Sequence, residues 1–228
     1  MKPRVSIVTT TYNRAHTLVR AIESVQRQTW SAWEHIIVDD GSVDETESVV
    51  RPYLERDARV KFRWQPNVGP AAAMNAGASL ATSPWITFLD CDDEYLPSHL
   101  QLRFEYLASH PEIEMLWGGV RVVGPRARQF VLDAAGSGRR IHLSHCRLAG
   151  TLVLRKGLFR KLGGFRKLIS ADYDLWRRAE ARGARIVRVT FPTLLCHVSE
   201  DDRVSTAYPN IDGEGNLLPG PGQHAQAV

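Results

Sequence analysis

Apolar and polar positions come in alternating blocks along roughly the first 120 residues. "VSIVT" (5–9), "HIIVD" (35–39), "VKFRW" (60–64) and "WITFL" (85–89) are short runs with the length and the β-branched or aromatic content of strands. Between them the apolar positions recur at helical spacing, which predicts helices over about 17–28, from about 44 onward, and over 70–81, "PAAAMNAGASLA". Such alternation predicts a parallel sheet covered by helices. The turn "DDGS" precedes the second helix, and Ser42 with Glu45 offers it an S-x-x-E capping box. Each strand but the third runs into polar or acidic residues at its C-terminal end. Open parallel sheets bind ligands beyond those ends, so "TTYN" (10–13), "DDGS" (39–42) and "DCDD" (90–93) are expected to line one crevice.

The pattern loosens between about 118 and 150, where Gly, Pro and Arg are frequent; strands and a mobile loop near "GPRARQF" and "AAGSGRR" are expected there. Regularity returns with "GTLVLRKGLFRKLGGF" and a helix over about 171–182. The end, "AYPNIDGEGNLLPGPGQHAQAV", has the Gly, Pro and Asn content of a flexible tail, and no internal repeat is visible.

Composition narrows the class. With 228 residues, 43% hydrophobic and 24% charged, one catalytic domain is the expectation. No apolar run approaches the roughly 20 residues of a spanning helix, and "MKPRVSIVTTTYN" is too short and polar for a signal peptide, so a cytoplasmic protein is expected. Cys91, Cys146 and Cys196 are odd in number and widely spaced, which indicates reduced thiols rather than a disulfide framework or a zinc knuckle. The net charge is +4, with acids crowded into the N-terminal half and Arg and Lys dominant from Arg121 to Arg188. That asymmetry suits an anionic partner, whether a phosphorylated substrate or an anionic membrane surface touched peripherally; a solvated basic face is the plainer account. Nucleic acid ranks lowest, because the aromatic and basic residues do not interleave as a stacking platform does.

Candidate chemistry sits where the fourth strand ends. A G-x-G-x-x-G turn after the first strand and a P-loop are both absent, which counts against a dinucleotide oxidoreductase and a P-loop nucleotidase. Asp90, Asp92 and Asp93 repel one another unless a hard cation neutralises them, and Mg²⁺ or Mn²⁺ takes one or two carboxylates plus substrate phosphates. The bland alternative is one helix-capping acid and two solvated ones. Cys91 among hard oxygen donors reads as a small filler facing the core. In "SADYDLWRR" (170–178), Ser170 is a plausible N-cap, which puts Asp172 and Asp174 in a first helical turn but on different faces. Asp174 has Arg177 and Arg178 three and four residues on and reads as a surface ion pair. Asp172 faces Leu175 and Trp176 instead and is the better general base; burial would raise its pKa and the helix dipole would lower it.

"VSIVTTTYNRAHTLVRAIESVQRQTWSAWEHIIVDDGSVDET", "NVGPAAAMNAG", "FLDCDDEYLP" and "GGFRKLISADYDLWRRAEARG" together resemble the family 2 glycosyltransferases, inverting enzymes of the GT-A fold. The resemblance runs from about residue 4 to about 200. It implies an α/β fold of GT-A type: a Rossmann-like, mostly parallel central sheet flanked by helices in a single domain over 1–205, with a nucleotide-sugar-binding part to about 120, an acceptor-binding part over 121–205, and a tail over 206–228. It further implies a nucleotide-diphosphate-sugar donor, most commonly a uridine one, and a divalent metal, Mg²⁺ or Mn²⁺. By position, Thr10 and Tyr12 would flank the base, Asp40 would accept from it, and Asp39 would steady the loop. Asn67, Gly69 and Asn75 match the segment that closes over the nucleotide, although Asn75 also suits a purely bracing role. Both Asp90-x-Asp92 and Asp92-Asp93 match the metal motif, with Asp92 and Asp93 expected nearest the ribose and metal and Asp90 in support. His197 is a further candidate metal ligand and Arg203 a phosphate contact. The chain departs from the family at Ala171, where a Glu commonly stands before the matched base, Asp172. The loop near 124–140 and the segment after His197 are candidate lids, and the acceptor could be a sugar, a lipid-linked glycan or a natural product. Two rivals are weighed: a nucleotidyltransferase, whose glycine- and Lys/Arg-rich loop is missing after the first strand, and a non-catalytic sugar-nucleotide-binding scaffold, to which Ala171 lends some weight.

Overall fold

The computed structural model describes residues 2–135, 138–168 and 170–199 of the 228. Its elements are β1 (Val5–Thr11), α1 (Ala15–Gln26), β2 (Trp33–Asp39), α2 (Thr46–Arg56), β3 (Val60–Trp64), α3 (Pro70–Leu80), β4 (Trp85–Phe88), β5 (Glu94–Tyr95), α4 (His99–Ser109), β6 (Met115–Trp117), β7 (Val120–Val123), β8 (Phe130–Leu132), β9 (Arg140–His142), β10 (Val153–Arg155), α5 (Lys156–Lys161), α6 (Ala171–Ala181), β11 (Ile186–Arg188) and β12 (Leu194–His197). The main sheet has seven strands in the order β11-β6-β10-β4-β1-β2-β3. β10 alone runs against its neighbours β4 and β6; the other pairs are parallel. The carboxyl ends of β1, β2, β4, β6 and β11 therefore share one edge.

β1 and β2 are apolar on both faces because both faces are covered. Val5, Ile7, Trp33 and Ile37 pack against α1, α2 and α4, whereas Val8, Ile36, Val38, Ile86 and Met115 pack against α3, α5 and α6. The second layer approaches closely: a Cβ added at Gly77 of α3 would lie 2.4 Å from a methyl of Val8 and 3.1 Å from one of Val38, so the helix can lie this low only with glycine there.

Strand and helix positions follow the periodicity, with three differences. Thr10 and Thr11 belong to β1, since β-branched residues extend a strand as well as they populate a loop. The segment expected as a loop over 124–140 contains the β8–β9 hairpin, and β12 lies between β5 and β7 in a separate three-stranded sheet. The expected capping box also does not form, because Ser42 lies too far ahead of the α2 start: its hydroxyl accepts from Asn13 N–H at 2.8 Å, and Asp44 Oδ1 takes the Thr46 N–H at 3.1 Å. Arg203 and the expected tail over 206–228 lie outside the described residues.

At the edge opposite the carboxyl ends, Glu34 of β2 is buried and gathers Ser6 Oγ (2.6 Å), Thr82 N–H (2.7 Å), Thr82 Oγ1 (2.7 Å) and Lys61 Nζ (2.6 Å). Burial by itself raises its pKa, but the bonds from Lys61, Ser6 and Thr82 outweigh that and hold it at about 2. Because the folded value lies below the ordinary 4.5, this contribution to stability is complete above 4.5 and is lost as pH falls towards 2. Glu34→Gln is expected to cost about 2 kcal/mol near neutrality in urea unfolding. The gap from wild type should shrink steadily as the pH is lowered through that window; a gap independent of pH would show that Glu34 is not the titrating lock.

Candidate active site

Two loops at the carboxyl edge are stitched together before any ligand enters. Asn13 adopts a left-handed conformation, φ 52°, which asparagine tolerates better than most residues. From there its Oδ1 accepts from Val43 N–H at 2.8 Å, while Asp44 Oδ2 accepts from Ala15 N–H at 3.0 Å. Asp39 Oδ1 accepts from Ser42 N–H at 2.9 Å, inside that loop. The buried Asp40 carboxylate takes three donors from the segment before α3: Gln65 Nε2 (2.8 Å), Val68 N–H (3.1 Å) and Gly69 N–H (2.8 Å). Gly41 faces the same segment so closely that a Cβ there would meet Asn67 N at 2.8 Å, and its φ of +89° is itself a glycine conformation. These bonds bring the ends of β1 and β2, with Thr10, the half-exposed Tyr12, Asp39 and Asp40, together with the Asn67–Gly69 segment.

Asn75 lies elsewhere. Its Oδ1 accepts from Phe165 N–H at 2.9 Å and its Nδ2 donates to Phe165 O at 2.8 Å, so both ends of the amide brace α3 against the turn before α6. The bracing role expected as its alternative is thus filled, with one N–H and one oxygen lone pair of the amide engaged.

The turn after β4 is anchored by Leu89 N–H to Val8 O (2.9 Å) and Asp93 N–H to Asp90 O (3.0 Å), and Arg20 of α1 donates to the Asp92 carbonyl. Asp93 is 3% exposed and accepts from the backbone N–H of His197 at 2.9 Å; the His197 ring lies 2.9 Å from Glu94 Oε1. These contacts, made where β12 pairs with β5, occupy one oxygen of Asp93 and one ring nitrogen of His197, the two residues expected as metal ligands together with Asp92. Asp90 and Asp92 are the two acids that retain exposure. Asp90 is solvent-accessible but recessed, and its recess, Asp92 and Asp172 push its pKa up to about 7. Burial, Asp92 and Asp90 raise Asp93 well above the carboxylate range against the opposing pull of the His197 N–H and Arg20. Burial and the same acids also raise the Cys91 thiol, so it stays protonated as a small side chain in the turn.

Among the described residues, no three His, Cys, Asp or Glu side chains converge as a complete metal cage. A hard cation bound through substrate phosphates needs only one or two carboxylates, and the hard-oxygen side chains of Asp90 and Asp92 fit that need.

Asp172, in the first turn of α6, completes the crevice. The Tyr173 N–H donates to its Oδ1 at 2.8 Å and the Ala149 N–H also reaches it; burial nevertheless wins and lifts its pKa to about 6. Ser170 stands at the N-cap position without a side-chain bond, so backbone alone starts the helix, through Asp174 N–H to Ser170 O at 2.9 Å. Asp174 is ion-paired with Arg178 at 2.6 Å, but that pair is mostly buried rather than on the surface, and Arg178 also donates to Gly164 O at 2.7 Å. Arg20, Asn13 and Asp44 were not singled out from the sequence; the left-handed preference of Asn was the one local signal for any of them.

The model of the family described as "Glycosyl transferase family 2" matches residues 6–146. An uncharacterized glycosyltransferase, MJ1057, of Methanocaldococcus jannaschii is 29% identical over 190 residues, which cover 79% of this chain and 66% of that protein. Among solved structures, S. aureus TarS 1-349 in complex with UDP-GlcNAc superposes with a TM-score of 0.73 at 20% identity, over 91% of this chain and 62% of that one. The mannosyltransferase PcManGT of Pyrobaculum calidifontis, in complex with GDP-Man and Mn²⁺, gives 0.69 at 21%, over 91% and 60%. The chain thus spans about two thirds or less of the length of these relatives. The structural likenesses establish the GT-A type of fold, and the family model covers more than half of the residues: the chain belongs to glycosyl transferase family 2.

Proposed function

We propose that the chain is an inverting glycosyltransferase that moves a sugar from a nucleotide-diphosphate sugar, UDP-linked, to an acceptor hydroxyl, with Asp172 as general base. One observation carries the reading: Asp172 lies within electrostatic reach of Asp90, across the crevice from the acidic turn, with its pKa raised to about 6. A carboxylate tuned there is largely ionised at neutral pH yet basic enough to take a proton from an attacking hydroxyl. Support for the donor class comes from relatives bound to UDP-GlcNAc and GDP-Man.

The notch at the β1 and β2 ends receives the nucleotide, with Tyr12 against the base and Thr10 beside it. Asp40 holds the Val68–Gly69 backbone over it and keeps an oxygen lone pair for the base. Asp90 and Asp92 would hold Mg²⁺ or Mn²⁺, which when bound neutralises the diphosphate and so stabilises it as a leaving group. The acceptor oxygen attacks the anomeric carbon as its proton passes to Asp172 Oδ; the bond to the diphosphate breaks on the opposite side, its electron pair leaves with the diphosphate, and configuration inverts. The Tyr173 and Ala149 N–H groups fix the carboxylate for that transfer. Residues up to about 120 form the donor half and 121–205 the acceptor half, with the 124–140 segment and the segment after His197 as lids. Arg203 is assigned to the diphosphate. The reaction is placed in the cytoplasm, where a membrane face could present an acceptor; no helix among the described residues is long and apolar enough to cross a membrane.

Calorimetric titration with UDP, dTDP and GDP, each with Mn²⁺ and with EDTA, tests the donor site. UDP is expected to bind with Mn²⁺ and to lose most of its affinity in EDTA and in Asp92→Ala; binding by none of the three nucleotides would remove the reading. In turnover with the donor so identified, Asp172→Asn is expected to lower kcat by about 10²–10⁴ while leaving UDP affinity intact. Because the unprotonated base is the active form, wild-type kcat should fall about tenfold per pH unit below about 6 and level off above it. A flat profile across that value would exclude Asp172 as the base.

A further inference from the structure

The acceptor side of the crevice holds a feature that the proposed reaction does not use. Trp117 ends β6 and Arg188 ends β11, directly opposite each other in register, and both strands run parallel to β4. The pair therefore stands on the same sheet edge as Asp90. Trp176 of α6 meets Trp117 edge-to-face, with 6.4 Å between ring centroids, and Tyr173 stacks on Trp176 at 6.2 Å. Arg147 lies on this cluster, its guanidinium carbon 3.7 Å from the Trp176 ring centroid, 4.9 Å from Trp117 and 5.4 Å from Tyr173. Arg188 lies over Trp117 at 5.1 Å.

Aromatic rings hold a guanidinium in place without cancelling its charge. Elsewhere in the molecule the stacked arginines are also bonded to oxygen: Arg59, on Trp33, pairs with Asp57 at 2.8 Å, and Arg155, on Trp85, donates to the carbonyls of Ile113 and Pro111. Among the described residues, no carboxylate lies within ion-pair distance of Arg147 or Arg188, and the Arg147 Nε–H is buried without an acceptor. The position is tied to the base. Ala149, two residues beyond Arg147, donates to Asp172, and Tyr173, under the guanidinium, supplies a second backbone N–H to that carboxylate beside the residue's own.

We propose that Arg147, with Arg188, is the anion-reading wall of the acceptor subsite, and that the acceptor carries a phosphate close to the hydroxyl presented to Asp172. The assignment rests on Asp172 being the base of a glycosyltransferase. A guanidinium fork matches phosphate oxygens bidentately, and two forks on one aromatic cluster suit a group that can carry two negative charges. A sugar phosphate and a membrane-borne phosphate share this chemistry.

The test uses the full chain loaded with UDP and Mn²⁺, observed through the ¹⁵N-indole signals of its tryptophans. The probes are α-D-glucose 1-phosphate, neutral methyl α-D-glucoside and D-glucuronate. The sugar phosphate is expected to shift the Trp117 and Trp176 indoles and to bind about tenfold or more weakly in Arg147→Met and in Arg188→Met, with UDP affinity unchanged in both. Arg188 is exposed, so its variant keeps the test decisive if Arg147→Met fails to fold. Sugar phosphate binding that neither variant weakens, or glucoside or glucuronate binding as tightly as the phosphate, would overturn the proposal while leaving the donor site standing. Failure of UDP to bind the wild type would instead remove the glycosyltransferase reading and this inference with it. Phosphatidylcholine vesicles containing phosphatidic acid then separate the sources: competition with the sugar phosphate assigns a membrane-borne group, and no competition assigns a soluble one.

Discussion

Repulsion among Asp90, Asp92, Asp93 and Asp172 is the constraint to which the rest of the molecule is fitted. Two like charges about 4 Å apart at the dielectric of a protein surface repel by about 4 kcal/mol, more than most single contacts contribute. Three of the four show how it is met. Asp93 is buried and accepts from the His197 N–H; Asp90 has its pKa raised to about 7; Asp172 is held by backbone donors. Arg20 reaches the turn and donates to the Asp92 carbonyl, so it shapes the loop while its charge acts on Asp93. A recess that gathers this many carboxylates favours a ligand that arrives with a divalent cation.

Holding such a turn open requires a rigid frame, and the two-sided core supplies it. β1, β2 and β4 are buried on both faces, so the edge at which they end has little freedom to relax. Gly77 lets α3 settle close against β1 and β2, and Asn75 on that helix then grips Phe165 while Arg178 grips Gly164. Through those contacts the position of α6, and with it Asp172, is set by the sheet rather than by a free loop. Coupling the β1 and β2 ends and Asp172 to one core is what lets a crevice assembled from separate chain segments keep its geometry.

Much of this frame was legible in the sequence because strand and helix periods are local signals. The four N-terminal strands, the three helices between or after them, and the helix carrying Asp172 lie within a few residues of where the pattern predicts them. Non-local facts were not legible. β10 reads as any apolar run, and only the finished sheet makes it the one strand that runs against its neighbours. Asp93 and Asp92 are equivalent in a motif; the arrival of β12, about a hundred residues later, buries one of them. Likewise Asp174 pairs with Arg178 as its spacing suggests, but no spacing tells that the pair is buried and holds a turn. The arginines at 147 and 188 looked like part of a general basic surplus, because the aromatic rings beneath them come from β6 and α6, far from either in sequence or brought together only by the fold.

Ala171 shows how the charge constraint bears on the start of α6, where the family resemblance led to the expectation of a Glu. The residue is 7% exposed and shares the inward face of α6 with Leu175 and Ala179, packed with Phe165 and Leu158. A Glu side chain at 171 in this backbone would start in apolar surroundings and would have to bend towards the recess to be hydrated, adding a fifth carboxylate to the existing four. With alanine there the helix seats closely, Asp174 is taken by Arg178, and Asp172 is left as the one acid of α6 facing Asp90. Alanine at 171 thus eases both packing and repulsion around Asp172, in keeping with the proposed base.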